Sequence, residues 1–163
     1  QGRSEAGPRA LGNRSILYDP RDPDGKDRIN KIKHREAFRP FAASIKLSHV
    51  HKWFDMAGMD DSPHMMYAVD ALEYTWDKIP AVLHVDHTCR IQTVTIDQNE
   101  HYYRLIDAFC QITGVPLLFN TSFNMAGDPL VETPEDAIKC FEETDIDALY
   151  FPEVAKLRAK STL

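Results

Sequence analysis

Cysteine is scarce in this 163-residue chain. Cys89, Cys110 and Cys140 stand far apart, with no CxxC pair and no even framework. A disulfide scaffold is thereby excluded, and a reducing, cytoplasmic compartment is expected. No apolar run approaches the roughly 18–20 residues that cross a bilayer, and no hydrophobic leader opens the chain, so no membrane partner is expected. Internal repeats and low-complexity stretches are also missing. Disorder is excluded in turn, because 43% of the residues are hydrophobic, with eight Phe, six Tyr and two Trp. A chain of this length buries about two-thirds of its unfolded surface as one domain. It opens on Gln within a Gly-rich polar segment, and we therefore expect residues 1–163 to be one domain excised from a longer protein.

Positive charge is short everywhere except in the first third. Residues 1–53 hold twelve of the nineteen Lys and Arg residues and six of the twenty-five Asp and Glu residues, a net charge of +6, whereas residues 54–163 carry −12. Such segregation points to an anionic ligand, since a surface without a task intersperses its signs.

Periodicity and breakers give alternating elements. Gln1–Asn13 reads as loop and Ser15–Tyr18 as a short strand. Asp22–Gly25 is a turn opening a helix to about Lys33, with Ile29 and Ile32 inward. Phe41–Lys46, Met65–Tyr74 and Cys89–Ile96 have strand character, and Leu47–Phe54 reads as a short helix. Tyr102, Leu105, Ile106, Phe109 and Ile112 recur at helical spacing until Gly114 and Pro116 stop them. Val115–Phe119 suits a buried central strand. Thr133-Pro134-Glu135-Asp136 starts a helix with Ala137, Ile138 and Phe141 inward, and Ala148–Phe151 is a closing strand. Alternation of this kind implies an α/β domain with a mixed sheet.

The densest cationic cluster is Lys33-His34-Arg35-Glu36-Ala37-Phe38-Arg39-Pro40. Pro40 biases Arg39 toward an extended backbone, and in an extended segment Lys33, Arg35 and Arg39 share one side. Three cations on one side repel unless an anion lies among them, and Arg forks beside a Lys suit phosphate. Lys33 and Arg35 also fit a solvated helix end. Arg9 and Arg14 flank Gly12, in what is either an anion-binding loop or a tight surface turn. Arg90 stands alone among apolar and uncharged residues, either at a rim or half-buried against a counter-anion.

Asn120-Thr121-Ser122-Phe123-Asn124 follows an apolar strand, which makes its polar side chains either oxygen-binding donors at a strand end or an ordinary Asx/Ser turn. His84-x-x-His87 and His49-x-His51 lack companion ligands at suitable spacing, so no metal site is expected.

Several of these stretches together resemble one family. They are Gly2-Arg3-Ser4-Glu5-Ala6-Gly7-Pro8-Arg9-Ala10-Leu11-Gly12-Asn13-Arg14-Ser15-Ile16, Arg35–Ala42, His84-Val85-Asp86 with Thr88, Arg90 and Gln92–Val94, Leu118–Asn124, and Val131–Ala137. In order and over nearly the whole chain they resemble the C-terminal domain of the O-carbamoyltransferases, enzymes of nodulation-factor and antibiotic tailoring. The resemblance implies a YrdC-like fold, a twisted mixed sheet flanked by helices, similar also to the threonylcarbamoyl-adenylate synthases. Lys33-x-Arg35 and Ser122-x-Asn124 match the tetrad that holds nucleotide and acyl phosphates in those relatives. Arg9, Arg39 and Arg90 fall in motifs that resemble carbamoyl-phosphate and ATP contacts. Arg14 and Asn120 complete the expected binding set, and Lys33, Arg39 and Ser122 are the expected catalytic residues.

The reaction so implied forms carbamoyladenylate from carbamoyl phosphate and ATP. Departure of pyrophosphate needs charge stabilisation more than a protein nucleophile, so no catalytic triad is required. Mg²⁺ would arrive on the substrate phosphates, with Asp86 a conceivable carboxylate or a structural one. Transfer to an acceptor hydroxyl would follow at an iron-bearing, actin-like N-terminal domain, the expected partner. His87 stands where the family has Gly and Ala43 where it has Pro. His64 and Met66 also depart from its pattern, and a glycine is missing after Tyr150-Phe151-Pro152. These departures bear on acyl or acceptor specificity more than on fold.

Two other classes also fit the charge, a non-catalytic nucleotide-binding module and an RNA-binding surface. RNA requires exposed aromatics among the cations, and Phe38 and Phe41 read as core, so nucleic acid is not the expected partner.

Overall fold

The structure, a computed structural model, describes residues 1–160. Its strands are Ser15–Tyr18 (β1), Ala42–Lys46 (β2), Phe54–Asp55 (β3), Ala68–Ala71 (β4), Thr88–Val94 (β5), Leu117–Ser122 (β6), Ala148–Phe151 (β7) and Lys156–Ala159 (β8). Its α-helices are Gly25–Ile32 (α1), Glu100–Thr113 (α2) and Pro134–Glu142 (α3). Six strands form one mixed sheet in the order β1-β6-β2-β5-β4-β3, in which only β2 and β5 run parallel. The expected α/β mixed sheet flanked by helices is thus present. Among the described residues no helix is long and apolar enough to cross a membrane.

The period of two along each strand divides the sheet into unlike faces. Ala43, Ile45, Ile91 and Phe119 point to one face, where they meet Ile29 and Ile32 of α1 in the main core. Each large apolar side chain fully buried there contributes roughly 1.5–3 kcal/mol. The opposite face carries Val94 and Leu118 beneath Tyr102 and Ile106 of α2. Beside them lie three buried polar side chains, Ser44, Gln92 and Asn120. The Ser44 hydroxyl donates to Gln92 Oε1 (2.7 Å), and Asn120 Nδ2 donates to Ser44 Oγ (2.9 Å).

These amides reach beyond the sheet as well. Gln92 Nε2 donates to the Leu11 carbonyl (2.9 Å) and Asn120 Nδ2 to that of Ala10 (3.2 Å), clamping the N-terminal loop over the polar face. Glu5 Oε1 fixes the same loop by accepting from the amides of Leu11 and Asn13, each at 2.7 Å. Gly12 sits there at φ +116°, and a Cβ on it would lie 2.3 Å from the Tyr102 ring. Gly12→Ala is therefore expected to cost about 2 kcal/mol through strain and a displaced loop. A melting temperature unchanged within 1–2 °C, where roughly 4–8 °C should be lost, would remove that account.

Several boundaries differ from the sequence expectation. Strand character over Met65–Tyr74 survives only as β4, because Trp76 Nε1 bonds the Ala71 carbonyl and Thr75 Oγ1 that of Leu72, curling the chain into a 3₁₀ turn. Leu47–Lys52 is likewise a 3₁₀ turn, and Phe54 already belongs to β3. The central strand runs on through Asn120 to Ser122, since β1 and β2 flank it on both sides. Within α2, Leu105 and Ile112 face solvent, leaving Tyr102 and Ile106 as its buried face. Thr133 and Asp136 close the expected cap of α3 as a reciprocal capping box. Finally, β7 does not close the large sheet. A tight turn through Ala155, at φ +47°, folds β8 back onto it as a separate hairpin.

Candidate functional site

The cationic segment after α1 is not extended. His34 adopts φ +52°, its amide bonds the Lys31 carbonyl, and the Arg35 amide bonds that of Asn30 (3.0 Å). This pair of bonds is a Schellman closure of the helix. Lys33, Arg35 and Arg39 therefore do not share one side of an extended segment, nor does Lys33 sit on a solvated helix end, because it is buried. Its ammonium points inward and donates to the Ser122 carbonyl and Oγ and to the Asn124 carbonyl (2.8 Å) and Oδ1 (2.9 Å). Ser122 Oγ in turn donates to Asn124 Oδ1 (2.6 Å). Lys33, Ser122 and Asn124 are one cluster.

Arg35 continues the site. Asn30 Oδ1 accepts from its Nε (2.6 Å), the Pro40 carbonyl accepts from Nη2, and the guanidinium lies 4.0 Å above the Phe41 ring. Phe41 rests on Phe119, centroids 4.4 Å apart, so this platform is rigid. Burial, then the charges of Arg39 and Arg90, push Arg35 down to about 10. Burial, then Arg35, push Lys33 down to about 7. Arg90 is lowered as well, by burial and then by Arg9. Each cation thus feels the next, from Lys33 through Arg35 to Arg39 and Arg90, and on to Arg9.

Counter-charge is sparse along this succession. Glu36 pairs with Arg39 (2.8 Å), with both side chains more than half exposed. The Nε atoms of Arg9 and Arg90 are buried without a hydrogen-bond partner among the described residues. A guanidinium donor so left costs roughly 1–3 kcal/mol until an acceptor arrives. The site lies at the start of β2 and β5 and the end of β6, where Ala42 is in register with both Arg90 and Asn120. The strand-end expectation therefore fits the positions of Ser122, the last residue of β6, and of Asn124 just beyond it, but not that of Asn120.

Two expected residues stand elsewhere. The Arg14 guanidinium is taken up by the carbonyls of Gln1 (2.6 Å), Gly2, Asn13 and Glu132, bracing the N-terminal segment. Asn120 is buried within β6 and holds the loop that carries Arg9 rather than ending a strand. Asp86 caps a turn, accepting from the amide and hydroxyl of Thr88. His84 also engages Thr88, while the His87 ring stacks on Trp76 at 3.7 Å. Phe41 is core as read, but Phe38 is 81% exposed beside Arg39.

Sequence reasoning missed Asn30, whose Nδ2 also holds the carbonyls of Ala37 and Arg39. It also missed the pair Ser44 and Gln92. Their signal was a neutral polar residue at a position otherwise read as apolar: Asn30 between Ile29 and Ile32, Ser44 and Gln92 within apolar strands.

Residues 1–157 match the family described as Carbamoyltransferase C-terminus. The chain is similar to nodulation protein NolNO of Sinorhizobium fredii, 48% identical over 91% of the chain and 22% of that relative. It is also similar to nodulation protein NolO of Bradyrhizobium diazoefficiens, 46% identical over 91% of the chain and 28% of that relative. A third relative is the 3'-hydroxymethylcephem-O-carbamoyltransferase of Streptomyces clavuligerus, 39% identical over 90% of the chain and 27% of that protein. The chain spans about a quarter of the length of these relatives.

Proposed function

Since the chain belongs to the carbamoyltransferase C-terminus family, we propose that its cationic site binds ATP and carbamoyl phosphate and forms carbamoyladenylate for carbamoyl transfer. One observation carries the reading: Lys33, Arg35, Arg39, Arg90 and Arg9 repel one another in succession, and among the described residues only Arg39 of these has an ion-pair partner, the exposed Glu36. Two polyanions brought together repel, and preset cations offset that before reaction begins.

Atoms balance when one water is consumed. Carbamoyl phosphate yields carbamate and inorganic phosphate, a carbamate oxygen attacks the α-phosphorus of ATP, and pyrophosphate leaves. Arg35, rigid on Phe41, and the free Nε donors of Arg9 and Arg90 take phosphoryl oxygens. Lys33 holds Ser122 and Asn124 in one cluster at the acyl end, where an acyl oxygen would compete for the Ser122 hydroxyl now given to Asn124 Oδ1 and the Asn124 amide now given to the Asp128 carbonyl. The exposed Phe38 ring offers a face to the base. Among the described residues no three His, Cys, Asp or Glu side chains converge, so neither an iron site nor an all-protein Mg²⁺ cage fits here. Mg²⁺ would reach the site on the nucleotide, and the acceptor hydroxyl would be met by polypeptide beyond this region. A non-catalytic nucleotide module is the second reading, favoured by the engagement of Lys33 with four protein oxygens.

The test is pyrophosphate release from ATP and carbamoyl phosphate supplied together, abolished by Lys33→Ala or Ser122→Ala. Its pH dependence has a fixed sign. Lys33 titrates near 7 in the free protein, so kcat/KM falls as pH rises through that value and the ammonium is lost. Bound anions raise that value, so the limb in kcat lies at higher pH. ATP binding without pyrophosphate release supports the module, and a kcat/KM that climbs between pH 7 and 9 removes Lys33 from the mechanism.

A further inference from the structure

A groove of about 740 Å³ between β1 and β7 is lined by none of Lys33, Arg35, Arg39, Arg90 and Arg9. Two strand edges form opposite walls, and the N-terminal segment, α2 and the start of α3 complete the lining. β1 is the outermost strand of the large sheet, and among the described residues β7 pairs only with β8. The direction of each backbone group follows from the ladders. The Phe123 amide bonds the Arg14 carbonyl, so Arg14, Ile16 and Tyr18 face β6, while Ser15 and Leu17 turn their N–H and C=O outward. The Lys160 amide bonds the Asp147 carbonyl, so Leu149 and Phe151 face β8, while Ala148 and Tyr150 turn theirs outward. All four outward residues line the same groove, and none of these backbone groups is paired among the described residues. Ile16 and Leu149 share a small apolar core against α3.

We propose that this groove receives an extended strand from the polypeptide that the longer relatives carry beyond this region, pairing with β1 on one side and β7 on the other. Such a strand joins both sheets into one of nine strands. Three features select this occupant. The edge of β1, Ser-Ile-Leu-Tyr, has none of the charge, proline or bulge that guards a free edge. A two-stranded hairpin such as β7–β8 is marginal alone and gains from a third strand. The relatives have about three-quarters of their length to supply it. A second copy pairing β1 to β1 would leave β7 unserved. Main-chain pairing of this kind recognises backbone first and alternate side chains second. The proposal holds whether or not the cationic site makes carbamoyladenylate.

Amide hydrogen exchange tests it, comparing the 163-residue chain with the full gene product that carries it. The amides of Ser15, Leu17, Ala148 and Tyr150 should exchange at least 100-fold more slowly in the full product, with Ile16 and Leu149 changed far less. Ala148→Pro in the full product should cost Tyr150 at least tenfold of that protection while Ile16 keeps its rate, because proline removes one outward donor from an edge strand. Equal rates in the two forms overturn the proposal. So does protection already present in the short chain, protection that rises with its concentration (a second copy), or a gene product no longer than these 163 residues.

Discussion

Arg90→Ala is expected to lower kcat/KM for pyrophosphate formation by about 10³-fold while leaving the unliganded fold within about 1 kcal/mol of the parent. The two effects separate because Arg90 serves an anion and not the scaffold. Its guanidinium is half-buried, its Nε has no partner among the described residues, and it sits under the repulsive charge of Arg9. Removing it relieves that repulsion, and the loss of packing along its stem offsets the gain. Arg90→Lys keeps the charge and loses the fork, so it should recover only part of the rate. Steady-state kinetics beside thermal melts decide the matter. A variant that melts far below the parent yet turns over normally would make Arg90 a structural residue.

Asn120→Leu should be the most damaging single change to the fold, at about 4 kcal/mol or roughly 8–16 °C in melting temperature. One amide nitrogen serves the Ala10 carbonyl, Ser44 Oγ and Gln92 Oε1, and leucine of similar size leaves all three without it in a buried setting. The loop bearing Arg9 is released at the same time, so ATP affinity should fall together with stability. Denaturant titration measures the first effect and calorimetry the second. A variant with parental stability but weak ATP binding would return Asn120 to the ligand, where its sequence motif had put it.

The contrast between Asn120 and Ser122 marks how far the sequence could be read. Both belong to one polar run after an apolar strand, and both read as donors at a strand end. Pairing with β1 and β2 carried the strand three residues past its apolar part, so Asn120 became an interior clamp while Ser122, with Asn124 beyond it, reached the site. Arg14 misled for a related reason. The Gly-rich loop that suits an anion also leaves carbonyls open, and four of them took up its guanidinium. For Lys33 the extended geometry gives way to a Schellman turn, yet the turn delivers it to Ser122 and Asn124, the partners that the motif resemblance implies.

What the sequence determined by itself was local or ordered along the chain. It set the α/β alternation, the caps of the later helices, the segregation of charge, and the ordered motifs that identify the family. Those follow from periodicity, turn chemistry and residue type, each legible within a short window. Tertiary structure alone decided which cations adjoin, which polar residues are interior, and which strand edges stay open. Those depend on contacts across long separations, Arg9 with Arg90 or Lys33 with Ser122, whose energies exist only once the sheet has brought the partners together.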